Sequence, residues 1–197
     1  MPAYLLLFFL QHSIMVRRFF LNFVARFMPG AYTGAVYSVT SGIFLFGVIV
    51  FWQSTAAIFE APGIIRLLLR AMFIMCVIGF FWAVKSVEIF DPFGVRKITD
   101  YLKNKNERQA ALAVKGPYRL VRHPLYLFII IMIWSCPDLT QDRLLFNILW
   151  SVWIIIGAIW EEKDLLRQFG DAYRKYQKET PMFLPLKLSK KEKPHSH

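Results

Sequence analysis

Cysteine is scarce: the 197 residues hold two, Cys76 and Cys136. Neither sits in a Cys-x-x-Cys pair or at a Cys/His spacing that a zinc site needs, so no metal is expected and both read as packing residues. An internal repeat, a Gly-rich phosphate loop and a Ser/His/Asp arrangement are absent too. Acidic residues are few, 13 against 24 Lys and Arg, which leaves a net charge of +11. Nucleic acid is excluded as its partner, because the apolar composition leaves no soluble basic domain to carry such binding. Flanks that fix membrane topology and touch anionic headgroups account for the charge. The N-terminus lacks the marks of a cleaved signal: no basic residue precedes the apolar run, no small-residue site follows it, and Gln11-His12-Ser13 interrupts its end. A retained helix is expected there. Being short and starting at residue 1, it is expected either to be tilted and buried in protein or to follow further sequence.

What the chain does have is apolar residues, in five blocks: 3–16, 32–52, 63–84, 124–136 and 144–160. The second, third and fifth approach the ~20 residues that a helix needs to cross a bilayer. The sequence predicts an all-α, multi-pass transmembrane bundle of about five helices, forming one domain. Its parts are N-terminal helices and a loop to residue 115, a hairpin and amphipathic helix over 116–185, and a disordered basic tail over 186–197. Three Lys and Arg lie in 17–26, nine in 85–122 and nine in 163–193, which leaves Arg66, Arg70 and Arg143 for the opposite side. The positive-inside rule then places the N-terminus outside and the C-terminus in the cytosol.

The most informative stretch is "KGPYRLVRHPLYLFIIIMIW", 115–134. Proline is favoured at the first position of a helix and pushes its predecessor out of helical geometry, so Pro124 marks a start and His123 its cap. The unpaired N–H groups of that start, with Arg119 and Arg122 beside it, form a site for a carboxylate or phosphate. After the turn "CPDLTQDR" the fifth helix returns and is expected to end at Trp160-Glu161-Glu162, where negative dipole and two carboxylates attract a cation. A hairpin with one anion-seeking and one cation-seeking pole suits S-adenosylmethionine, which carries a carboxylate, an ammonium and a sulfonium. Further on, Leu165, Phe169, Tyr173 and Tyr176 draw one stripe on a helix that Pro181 ends. That stripe reads as an amphipathic helix on the membrane or as a cover over the nucleotide end of a cofactor.

"GPYRLVRHPLYL" followed by "EEKDLLRQFGDAYRKYQKETPMFLP" resembles the C-terminal region of the isoprenylcysteine carboxyl methyltransferase superfamily. "LQHSIMVRRFF", "VIVFWQ" and "EIFDPFGVRKITDYL" resemble its subgroup of bacterial methanethiol S-methyltransferases and denitrification-associated membrane proteins. Members of that subgroup carry apolar sequence ahead of Gln-His-Ser, where this chain has ten residues. The resemblance implies S-adenosylmethionine as donor, bound at the cytosolic end of the last hairpin. It implies that Arg122, His123, Pro124 and Tyr126 hold the methionine part and close the pocket. It further implies that Glu161 or Glu162 meets the ammonium or orients Arg122, and that Tyr173 and Tyr176 fill the aromatic positions. Tyr126 and His12 are the candidate catalytic side chains, His12 for taking a thiol proton; its plain alternative is a hydrogen bond to a neighbouring helix. The expected reaction is methyl transfer to a small thiol. A lipophilic acceptor, either a phospholipid amine or a prenylcysteine carboxylate, and a non-enzymatic membrane role stay open at this point.

Overall fold

The computed structural model describes residues 2–87, 91, 93–105, 112 and 114–184; the expected basic tail lies outside them. In chain order the elements are α1 (Pro2–Met15), α2 (Arg18–Val24), a 3-10 turn (Gly30–Tyr32), α3 (Thr33–Val50), β1 (Ala57–Glu60), α4 (Gly63–Ser86) and α5 (Val95–Leu102). A second 3-10 turn (Gly116–Arg119), α6 (Pro124–Trp134), β2 (Asp138–Thr140), α7 (Gln141–Phe169) and α8 (Asp171–Glu179) follow. All five apolar blocks are helices. α3 with its preceding turn, α4 and α7 are long and apolar enough to cross a membrane, while α1 and α6 are shorter apolar helices. The chain is an all-α membrane protein, its sheet no more than one antiparallel pair of short strands.

Two compact units interleave along the sequence. The first takes the described residues of 1–61, 89–111 and 138–149. Within it α1 and α3 run antiparallel: Tyr4 stacks on Phe51 at one end, and His12 meets Tyr37 near the other. β1 pairs with β2, Ala57 opposite Thr140 and Glu60 opposite Asp138, so the "CPDLTQDR" segment is a strand as well as a turn. Asp142, buried in the first turn of α7, fastens this end: it accepts the Trp52 indole N–H at 2.6 Å and the Thr55 hydroxyl and amide at 2.6 and 3.0 Å. A carboxylate at a helix start is where the dipole favours it. Asp91 does likewise for α5, accepting the amides of Arg96 and Lys97 at 2.9 and 3.2 Å.

The second unit takes the described residues of 62–88, 112–137 and 150–197. Here α4 packs along α6, and Gly79 lets them approach: a Cβ there would lie 2.6 Å from the Phe128 ring. α6 begins with Pro124 at its first position and ends at Ser135, whose hydroxyl donates back to the Ile131 carbonyl at 2.5 Å. Two expectations are corrected. The fifth apolar helix does not stop at Glu162 but continues two turns, to Phe169. The aromatic stripe is not on one helix, because Gly170 breaks the chain with φ 55° and ψ −125°, a conformation that side-chain-bearing residues resist, and α8 sets off anew.

Candidate functional site

The second unit gathers most of the predicted site residues around one carboxylate. Glu162, on the buried side of α7, receives the Arg122 guanidinium in a fork: Nε donates to Oε1 at 2.6 Å and Nη2 to Oε2 at 2.9 Å. The Tyr173 hydroxyl donates to Oε1 at 3.0 Å and the Gln177 amide to Oε2 at 2.5 Å; His123 Nε2 lies 3.1 Å from Oε1. Both oxygens are thus fully engaged. Arg122 is spent as well, since its Nη1 donates to the Gln177 carbonyl at 3.1 Å and to that of Thr180.

This pairing changes the expected two-pole pocket. Arg122 was to seek an anion and Glu162 a cation, but opposite charges brought together in a buried place satisfy each other first. The charges left facing outward are their neighbours: Glu161, whose side chain is 45% exposed with one long contact, 3.8 Å, to His123 Nδ1, and the exposed Arg119. His123 does hold the cap position of α6, yet its side chain makes no capping bond. Its ring lies between Tyr126, stacked at 5.5 Å, and Phe183 at 5.8 Å.

α8 is drawn onto this cluster. Tyr173 is 1% exposed and Tyr176 is buried, with their rings 5.8 Å apart and the Tyr176 hydroxyl donating to the Tyr118 carbonyl. The apolar side of α8 therefore faces protein, which corrects the expectation of a helix lying with it on the membrane. Burial and then the Glu162 carboxylate hold the Tyr173 phenol well above its ordinary range, so it remains a donor. Tyr118 is pushed up to about 12 by burial and by the charge of Glu161.

Sequence reasoning missed the return of the chain over the start of α6. The amides of Arg122 and His123 donate to the carbonyls of Pro181 and Met182 at 2.9 and 3.1 Å. Gln177, Thr180 and Phe183 complete the cluster; the only prior sign was Pro181, which ends a helix and so turns the chain.

His12 is in the first unit. Its Nδ1 is 2.9 Å from the Tyr37 hydroxyl and 3.4 Å from that of Ser41, and Nε2 also approaches Tyr37. Gln11 donates to Ser41 at 3.3 Å. A bond from His12 to a neighbouring helix is thus present. Among the described residues no group of three or more His, Cys, Asp and Glu is placed to hold a metal.

The phospholipid methyltransferase family model matches residues 67–172, which include Arg122, His123, Glu161 and Glu162. A methanethiol S-methyltransferase of Pseudomonas sp. is 35% identical over 190 residues, which cover 91% of this chain and 70% of that protein. Methanethiol S-methyltransferase 2 of Bradyrhizobium diazoefficiens is 29% identical over 182 residues, 91% of this chain and 70% of its own length. The methanethiol S-methyltransferase of Mycobacterium tuberculosis is 29% identical over 194 residues, 96% and 76% of the two chains. No solved structure matches the chain. An apolar bundle with a buried Arg-His-Glu cluster, matched over these residues, is one of a known kind: the chain belongs to the phospholipid methyltransferase family of membrane proteins and is a methyltransferase.

Proposed function

We propose that this enzyme transfers a methyl group from S-adenosylmethionine to a small thiol, at the cytosolic face of a bacterial inner membrane. One observation supports the reading most: the fork of Arg122 on Glu162 fixes the start of α6 beside α7, leaving Glu161 and Arg119 facing outward. The residues fit the donor. Glu161 supplies a half-exposed carboxylate for its ammonium, the first-turn amides of α6 are suited to its carboxylate, and the rings of Tyr126 and Phe183 offer faces to a sulfonium. When bound, S-adenosylmethionine supplies an electrophilic methyl carbon and a thioether leaving group. Arg122, Glu162, Tyr173 and Tyr176 are buried around one another and act by holding these groups in place, which matters because an in-line displacement depends on alignment.

The acceptor reading follows the relatives, each named for methanethiol. A thiol must lose its proton to become a strong nucleophile. In our reading the His12 ring would take the S–H proton, leaving a thiolate as the nucleophile toward the methyl group that the donor would supply. The distribution of Lys and Arg supports a cytosolic position for the Arg-His-Pro start.

The test is incubation of purified protein with methyl-labelled S-adenosylmethionine and, in turn, methanethiol, hydrogen sulfide, a larger alkyl thiol, phosphatidylethanolamine and a prenylcysteine. Volatile label with small thiols is expected. Label in phosphatidylethanolamine would favour instead the second reading, a phospholipid amine acceptor, which the name of the matched family model suggests. Label in prenylcysteine would move the acceptor to a lipid-borne carboxylate.

A further inference from the structure

At one end of the first unit two short helices expose apolar faces that no other element covers among the described residues. α2 connects the end of α1 to the turn before α3, and along it and its continuation Phe19, Phe23 and Phe27 recur at four-residue spacing, Phe27 74% exposed. A four-residue spacing puts them on one side of a helix. α5 does the same with Val95 and Leu102, preceded by exposed Phe93; Leu102 is 66% exposed. The two helices share an end of the α1–α3 pair, because α5 is held against the Gly30–Tyr32 turn by the contact of Tyr101 with Tyr32, rings 6.2 Å apart.

Charge distinguishes this end. Over 16–32, 91 and 93–105 the chain carries seven Lys and Arg and two acidic residues. Arg17, Arg26, Lys97, Lys103 and Lys105 are exposed, while one acidic group, Asp91, is occupied by the amides of α5. At the far end of the same helix pair the first unit has Glu60, Asp138 and Asp142 with Arg143.

Large apolar side chains beside basic ones, at the end of a membrane-crossing helix, match one environment: a boundary where acyl chains give way to anionic headgroups. We infer that α2 and α5 lie in that boundary as a basic apron. Their Phe, Val and Leu faces sink among the acyl chains, and Arg17, Arg26, Lys97, Lys103 and Lys105 gather anionic lipid around the first unit. Protein partners are disfavoured as the occupant because α3, which follows α2 through the Gly30–Tyr32 turn, is itself long and apolar enough to cross a membrane and exposes Val39, Ile43 and Phe46.

The test uses the full chain in vesicles, with Phe23→Cys and Leu102→Cys placed singly on a Cys136→Ser background and labelled with an environment-sensitive fluorophore. The parent background, retaining buried Cys76, reports any stray labelling, and Asp164→Cys is the aqueous control, Asp164 being 74% exposed on α7. Brominated lipid is expected to quench both probes and iodide to spare them, relative to the control. Brominated phosphatidylglycerol should quench more than brominated phosphatidylcholine. Reversing charge in Lys97→Glu/Lys103→Glu should abolish that preference, each basic group near a surface enriching anionic lipid by about fivefold. Iodide quenching as strong as at the control position would overturn the placement, as would shielding from both quenchers, the sign of a protein cover. Equal quenching by the two lipids would overturn the headgroup selection. None of these readings depends on methyl transfer.

Discussion

Arg122 and Glu162, forty residues apart, form a two-pronged ion pair whose side chains are 10% and 11% exposed. Buried pairs of this kind contribute little over a well-packed apolar substitute, but removing one partner strands the other charge, at about 3–5 kcal/mol. Glu162→Ala should therefore lower the thermal unfolding midpoint in detergent sharply. Arg122→Met together with Glu162→Leu should recover part of the loss, because no lone charge is left. If the double substitution unfolds as early as the sum of the single ones, the pair is not what holds α6 to α7.

The Tyr173 hydroxyl completes the same carboxylate's shell, and Tyr173→Phe should cost about 1.5–3 kcal/mol, the range for a hydrogen bond to a charged group. Its pKa is raised in the folded state, so the stability it contributes is fully present below the unfolded value of about 10 and is lost as pH rises above it. The gap between wild type and Tyr173→Phe should be flat from pH 7 to about 10 and shrink beyond, as followed by unfolding midpoints across that range. A gap that shrinks below pH 9 would contradict the placement.

The five apolar helices were legible because bilayer crossing writes itself as block length: Pro124 gave the start of α6 to the residue, and Gly63 that of α4. Polar partnerships were legible only in part, because the sequence offered Glu161 or Glu162 as a partner for Arg122 without deciding which. That Arg122 and Glu162 would satisfy each other rather than face a ligand depends on α7 continuing past Glu162, and helical residues such as Lys163 to Leu166 read equally well as the start of a separate amphipathic helix. Nothing in β1, "AIFE", names β2 as its partner, because a four-residue strand pairing at long range has no local signal. Asp91 stands in an Asp-Pro pair, which by itself signals only a turn, and it caps α5, a role visible only once Arg96 and Lys97 present their amides.

Glu161 offers a separate test, since it is half exposed and bound by one long contact. Glu161→Gln should leave the unfolding midpoint within a degree or so of wild type, as surface changes do. In our reading it raises the KM for S-adenosylmethionine by about tenfold or more, the weight of a charged hydrogen bond, with kcat little changed. The same increase for the thiol instead would put Glu161 on the acceptor side; an unchanged KM for both would remove it from the site.

His12 is the side chain whose role the acceptor can report. In an apolar helix its nitrogens meet Tyr37 and Ser41, which either orient the ring for proton transfer or merely join α1 to α3. General-base catalysis contributes about 10²–10⁴-fold, so His12→Ala should lose that much with methanethiol, mostly protonated at neutral pH. A thiol acidic enough to be ionised at the assay pH needs no base, and with it the deficit should shrink to a few fold. Tyr37→Phe, if the hydroxyl orients the ring, should show the same dependence on thiol acidity at smaller amplitude. A deficit equal for every thiol, tracking a lower unfolding midpoint, would make His12 a helix-joining residue; a transfer rate that is unchanged throughout would take it out of the reaction.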